Sequence, residues 1–126
     1  MNAVVYDAAV LVAADRNDRR SWAEHKARLE LGIIPLVPAP VVAQVSRSPR
    51  QAQLRRFLRG CEVVSLDEGA AHAAGRVLGL TGTVDVVDAT VAILAASRKA
   101  VVLTGDPRDI EHLASAVGAQ LTIIAV

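Results

Sequence analysis

An α/β domain built on a central, mostly parallel sheet is what the sequence predicts, on three observations. Short apolar runs rich in Val, Ile and Leu alternate with segments of helical periodicity, the pattern of βαβ units. The 126 residues suffice for one domain with its own core. Hydrophobic residues make up 52% of the chain and are mostly Ala, Val, Leu and Ile. Tyr6, Trp22 and Phe57 are the only aromatics, which suits a buried sheet better than a ligand-stacking surface.

Each element follows from local pattern. Met1–Tyr6 reads as a strand ended by Asp7, which caps a short helix over Ala8–Ala14. After the polar turn Asp15–Asp18, Arg19–Leu31 is an amphipathic helix with Trp22, Ala23, Leu29 and the Lys26 stem on its inner side, stopped by Gly32. Ile33–Val37 is a second strand. Pro38 and Pro40 suit a helix start, so Val41–Arg47 is expected as a helix burying Val41, Val42 and Val45. Pro49–Arg59 forms another, ended by Gly60. Glu62–Leu66 is the third strand, and Asp67 caps a helix running to about Gly79.

The loop Leu80–Val84 then leads into Thr83–Ala96, a helix apolar on nearly every face and therefore buried. Val101–Leu103 is a strand, Pro107–Val117 a helix stopped by Gly118, and Leu121–Val126 the last strand.

Bulk properties exclude several classes. A net charge of +1 gives no global attraction to nucleic acid, so any such binding needs a local patch. Cys61 is the only cysteine, expected as a small core residue. No uncharged apolar run approaches the roughly 20 residues that span a bilayer, and the N-terminus lacks a basic leader region. A cytoplasmic protein that does not enter the membrane is expected.

The chemistry lies in acids at strand and helix ends. Asp7 follows the first strand, Asp106 follows the Val101–Leu103 strand, and Asp88 opens the buried helix with Asp85 three residues before it. In open α/β sheets, sites form at the carboxyl ends of strands. Carboxylates gathered there repel one another unless cations neutralise them, and hard divalent ions with oxygen ligands are the natural partners. Each acid can also be read as a helix cap. Asp88 least admits that reading, because it sits inside an apolar segment where Asp85 is a second candidate cap.

Asp7 after strand one, the Asp85-Val86-Val87-Asp88-Ala89 helix start, and the run Val102-Leu103-Thr104-Gly105-Asp106-Pro107-Arg108-Asp109 together resemble a PIN-domain ribonuclease. More closely, they resemble the VapC toxins of bacterial type II (VapBC) toxin–antitoxin pairs. The resemblance spans essentially the whole chain, and its specificity lies in the joint order of short motifs. It implies a three-layer α/β/α PIN-like fold, Mg²⁺-dependent cleavage of RNA (tRNA or rRNA) with Mn²⁺ as a substitute, neutralisation by a VapB-like antitoxin, and a homodimer. It also implies that water activated by the ion attacks the phosphodiester, with no histidine required.

By the same resemblance, Asp7, Asp88 and Asp106 are catalytic metal-binding acids, and Thr104 is a hydroxyl beside the site at the substrate. A further acid, usually Glu, is expected in the helix after strand two, where this chain has Gln44. Gln44 can ligate a cation but brings no charge. Asp85 is an auxiliary candidate to restore it. Two rivals follow: a catalytically weakened PIN module that binds RNA or antitoxin without turnover, and a phospho-receiver domain.

Arg47, Arg50, Arg55, Arg56 and Arg59 lie in an acid-free stretch that reads as a phosphate-binding ridge or a solvated face. Arg47, one turn beyond Gln44 and pointing the same way, and Arg108, just past Asp106, are the expected substrate contacts. His25, His72 and His112 are expected at the surface or an edge. An antitoxin helix is expected on Trp22–Leu31 and Val41–Leu58.

Overall fold

In the computed structural model, which describes residues 3–126, the apolar runs become five strands and the periodic segments seven helices. In chain order they are β1 (Val4–Tyr6), α1 (Ala8–Asp15), α2 (Arg19–Glu30), β2 (Leu36–Pro38), α3 (Ala39–Val45), α4 (Ala52–Leu58), β3 (Glu62–Val64), α5 (Glu68–Thr81), α6 (Val86–Arg98), β4 (Val101–Thr104), α7 (Pro107–Ala116) and β5 (Thr122–Ala125). The strands form one sheet in the order β3-β2-β1-β4-β5, and every pairing is parallel.

That order dictates the layers. The chain steps from β1 to β2 and β3 in one direction, then returns to β4 and β5 on the other side of β1. Right-handed crossovers therefore put α1–α4 on one face and α5–α7 on the other. The contacts agree: α1 packs on α3 and α4, and α6 packs between α5 and α7. The result is the expected three-layer α/β/α arrangement. It also excludes a phospho-receiver domain, whose strand order is 2-1-3-4-5.

The core follows burial by both layers. Val4, Val5 and Tyr6 of β1 and Val102 and Leu103 of β4 are buried, as central parallel strands must be. On α6, Ala89, Val91, Ala92 and Ala95 are fully enclosed, and small Ala side chains let this helix lie close to the sheet. Beneath α2 and α4 the chain gathers its few aromatics. Phe57 stacks on Tyr6 with centroids 5.6 Å apart and meets Trp22 edge-on at 5.0 Å.

His25 belongs to this cluster, contrary to the expectation of a surface histidine. It is 2% exposed, stacks on Phe57 at 3.9 Å, and its Nδ1 bonds the Tyr6 hydroxyl at 2.9 Å. Arg28 donates to the same hydroxyl at 3.0 Å. Burial, with the Arg28 charge second, lowers the His25 pKa, so the neutral ring behaves as one more aromatic of the core. The buried stripe of α2 therefore runs through His25 rather than through Ala23, Lys26 and Leu29, which are exposed. On α3, Val41 and Val45 are buried as expected and Val42 is half-buried. Cys61 packs against the core, where burial pushes its thiol up to about 12.

Helix stops divide into two kinds. Gly32 and Gly118, two of the expected stops, have φ of 79° and 71°, which glycine adopts without strain. Lys99 ends α6 with φ of 51°, a left-handed cap carrying a Cβ. That conformation costs an ordinary residue roughly 1–2 kcal/mol. Lys99→Gly is therefore expected to raise stability by about 1 kcal/mol, read as a higher denaturant midpoint with an unchanged m-value.

Candidate metal centre and adjoining cleft

The strand order reverses between β1 and β4, so their carboxyl ends open a crevice at the topological switch point. Asp7 leaves β1 there and Asp106 leaves β4. Between them, α6 points its first turn at the same place and delivers Asp88. One carboxylate oxygen from each of Asp7, Asp88 and Asp106 lies within 4.8 Å of the others. Two of these acids are almost enclosed, Asp7 at 3% exposure and Asp88 at 6%.

Local geometry explains how like charges are held so close. Asp7 Oδ1 accepts from the Ala8 amide at 2.7 Å, capping α1. Its Oδ2 accepts from the Thr104 hydroxyl at 2.6 Å, and the same hydroxyl oxygen accepts from the Asp106 amide at 2.9 Å. Thr104 is fully buried. The last residue of β4 thus sits beside the triad, ties the two strand ends together and faces no solvent.

Asp85 is the N-cap of α6, accepting from the Asp88 amide at 2.9 Å. It is exposed and lies outside the triad among the described residues. Its charge is nonetheless felt by Asp88, whose pKa is pushed up to about 7 by burial first, then by Asp85, Asp7, Asp106 and Asp109. Asp106 is raised by burial, Asp7, Asp109 and Asp85.

Crowded carboxylates that cling to protons call for positive charge. An all-oxygen acidic triad suits a hard divalent cation such as Mg²⁺ or Mn²⁺, and it offers no thiolate or imidazole ligand.

The remaining expected residues fall unequally around this centre. Gln44 is exposed on α3, the helix that leaves the carboxyl end of β2 beside β1. Arg108 is exposed in the first turn of α7, two residues past Asp106. Arg47 departs from its expected geometry. Helix α3 ends at Val45, Ser46 is extended with ψ of 122°, and Arg47 has therefore left the helix face that carries Gln44. Its guanidinium folds back onto the Ala43 and Ser46 carbonyls at 3.0 and 2.9 Å.

Other arginines of that stretch are also engaged within the chain. Arg55 donates to the Pro49 carbonyl, and Arg56 lies 4.6 Å over the Trp22 ring. His72 and His112 are exposed, as expected.

Two residues of the cleft escaped the sequence reading. Asp109 and His112 of α7, with Thr83, Val84, Asp85, Asp88 and Leu113, line a cavity of about 350 Å³. Asp109 had a signal: it follows Asp106 at the same three-residue spacing by which Asp88 follows Asp85. His112 is one turn further along the same helix face.

The family model of the PIN domain matches residues 4–116. This chain belongs to the PIN domain family. The PIN fold is shared with solved structures at low sequence identity. The structure of VapBC2 from Rickettsia felis bound to a DNA fragment from their promoter is 15% identical, with a TM-score of 0.73 over 98% of each chain. That of DNA-bound VapBC from Salmonella typhimurium is 21% identical, with a TM-score of 0.69 over 99% of this chain and 98% of that one. PAE2754 from Pyrobaculum aerophilum is 18% identical, with a TM-score of 0.63 over 96% and 91%. No protein of curated function matches this PIN domain by sequence. No single helix among the described residues is long and apolar enough to cross a membrane.

Two outcomes test this geometry. Thr104→Val keeps shape but strips a buried carboxylate of its hydroxyl donor, so it is expected to cost about 2 kcal/mol in unfolding free energy, and Thr104→Ser is expected to restore most of it.

The second concerns pH. With its pKa raised from 3.8 to about 7, Asp88 in the metal-free folded state keeps a proton that the unfolded chain releases. Stability must then fall as pH rises through that window and level off above it. In chelator at pH 8, Asp88→Asn is expected to melt higher than wild type and to lose most of that slope. Added Mn²⁺ stabilises the wild type and reverses the order.

Proposed function

We propose that this PIN domain is a metal-dependent endoribonuclease of the VapC toxin type, neutralised in its cell by a VapB-like antitoxin. The observation that carries the reading is the carboxylate triad Asp7–Asp88–Asp106 at the switch point of a PIN fold. VapBC complexes among the similar solved structures support the toxin–antitoxin part.

Asp7, Asp88 and Asp106 would hold the ion, Mg²⁺ with Mn²⁺ as a substitute. When bound, such an ion supplies charge neutralisation and the Lewis acidity that makes water a nucleophile toward phosphorus. The protein's own part is positioning. Thr104 keeps Asp7 and the Asp106 backbone in fixed relation, so the cluster need not reorganise as charge develops. Asp88, whose carboxyl is pushed up to about 7, would give up its proton on taking the ion. Asp85 orients the α6 terminus and adds field. Arg108, exposed at the rim, takes an RNA phosphate. Arg47 can do so only after its guanidinium leaves the Ala43 and Ser46 carbonyls.

The substrate class is RNA, tRNA or rRNA by the family resemblance, and the site of action is the cytoplasm. The same resemblance carries the homodimer. The antitoxin helix is placed on the groove of about 460 Å³ between α2 and α4, lined by Trp22, His25, Leu29, Arg56, Arg59 and Gly60. Its apolar floor and basic rim suit an amphipathic helix carrying acids.

Gln44 favours a second reading, in which the missing carboxylate leaves a module that binds RNA or antitoxin without turnover. One assay separates them. Purified protein is incubated with tRNA and rRNA fragments in Mg²⁺ or Mn²⁺. Wild-type cleavage is expected to drop on the order of 100-fold or more in Asp7→Asn and Asp88→Asn and to vanish with chelator. Cleavage indifferent to both sinks the nuclease reading. An inert wild type that gains cleavage as Gln44→Glu establishes the weakened module.

A further inference from the structure

The cavity of about 350 Å³ between the α5–α6 loop and α7 opens beside Asp88, and a nuclease triad alone has no need of it. Its lining is mixed in a particular way. Leu113, 3% exposed, is an apolar floor, and Val84, 89% exposed, is an apolar lip with nothing over it. Thr83 stands next to that lip. On the facing wall, one turn apart on α7, are the carboxylate of Asp109 and the imidazole of His112, both exposed. Asp109 is near enough to the triad for its charge to be felt by both Asp88 and Asp106.

Size and chemistry restrict the occupant. The volume lies at the small end of ligand pockets, roughly 300–1,000 Å³, so it admits one nucleoside rather than a helix. Apolar surfaces and an imidazole ring accept the face of a base. Asp109 supplies an edge contact that only accepts hydrogen bonds, with two oxygens in one plane. Among the bases, guanine presents two adjacent donors, N1–H and the N2 amine, on its Watson–Crick edge. Adenine and cytosine set one amine beside an acceptor nitrogen. Uracil sets one N–H between carbonyl oxygens that a carboxylate repels. Single-stranded RNA exposes these edges.

We propose that this cavity seats an unpaired guanine next to the phosphate at the triad, with Asp109 reading the N1–H and N2 amine and His112 and Val84 holding the base faces. The proposal rests on the ribonuclease reading for the identity of the chain that enters, and it adds a preference for guanine at one flanking position.

The test is mononucleotide binding to the full chain in Mg²⁺, followed by NMR at the Thr83, Val84 and Leu113 methyl groups. 5′-GMP is expected to bind at least about fivefold more tightly than 5′-UMP, the discrimination of one good bidentate contact. Asp109→Asn, which offers one acceptor and one donor, is expected to move the preference to 5′-AMP. His112→Ala is expected to weaken all four nucleotides alike. Both positions are exposed, so unchanged melting is the check on folding.

Equal binding of the four nucleotides by wild type overturns the proposal, as does a guanine preference that survives Asp109→Asn. A loss of Mn²⁺ affinity in Asp109→Asn as deep as in Asp88→Asn also overturns it, by making Asp109 a metal ligand. Guanine preference without any RNA cleavage sinks the nuclease reading alone. Cleavage without that preference sinks the guanine pocket alone.

Discussion

Mutual repulsion among three carboxylates, held against their preference, is the constraint on which the rest of the structure depends. Asp7, Asp88 and Asp106 present oxygens within 4.8 Å of one another, two of them from nearly buried side chains. Free carboxylates would separate or become protonated. Here each arrives from a different element whose position is set elsewhere. Asp7 is anchored by the α1 amide and the Thr104 hydroxyl. Asp88 is fixed by an α6 helix sunk into the core, and Asp106 by a β4 end tied to β1. The sheet and its two helical layers thus oppose a local electrostatic cost, which a divalent cation would relieve. Such opposition between stability and function is common at active sites.

Thr104 shows how economically this is done. Its hydroxyl donates to Asp7 and accepts from the Asp106 backbone, so one buried side chain holds two of the three strand and helix ends in register. The parallel pairing of β1 with β4 brings Tyr6 opposite Leu103 and leaves Asp7 and Thr104 as the next residues along each strand. A hydroxyl at that position can donate to one partner and accept from the other. On the other side of β1, Tyr6 ties the same strand to α2 and α4 through His25, Arg28 and Phe57.

The sheet, its direction and its order of elements were legible because they rest on burial, and burial writes itself as apolar periodicity. The positions of Asp7, Asp88 and Asp106 were legible because strand ends and a buried helix start are topological facts. Individual side chains were less so. His25 is polar by type and aromatic by use, and nothing in its neighbours distinguishes a stacked neutral ring from a surface one. Arg47 was misplaced by a helix end two residues earlier than expected, since neither a glycine nor a proline marks the stop at Ser46. Thr104 reads as a hydroxyl beside the site, and that it faces Asp7 and not solvent depends on the pairing of β1 with β4. Asp109 is visible as a spacing, but the family pattern assigns the acid three residues before it, Asp106.

Asp109 also changes the weight of Gln44. Counted along the chain, a glutamine where a carboxylate is expected leaves the centre one charge short. Counted in space, Asp85 and Asp109 flank the triad from α6 and α7, each three residues from a triad acid, and both raise the proton affinity of Asp88 and Asp106. The field on a cation at the triad is therefore that of five acids. What Gln44 withholds is a ligand with charge on the β2 side, whereas the added acids stand on the α6–α7 side. The negative potential is displaced toward the cavity that Asp109 and His112 line.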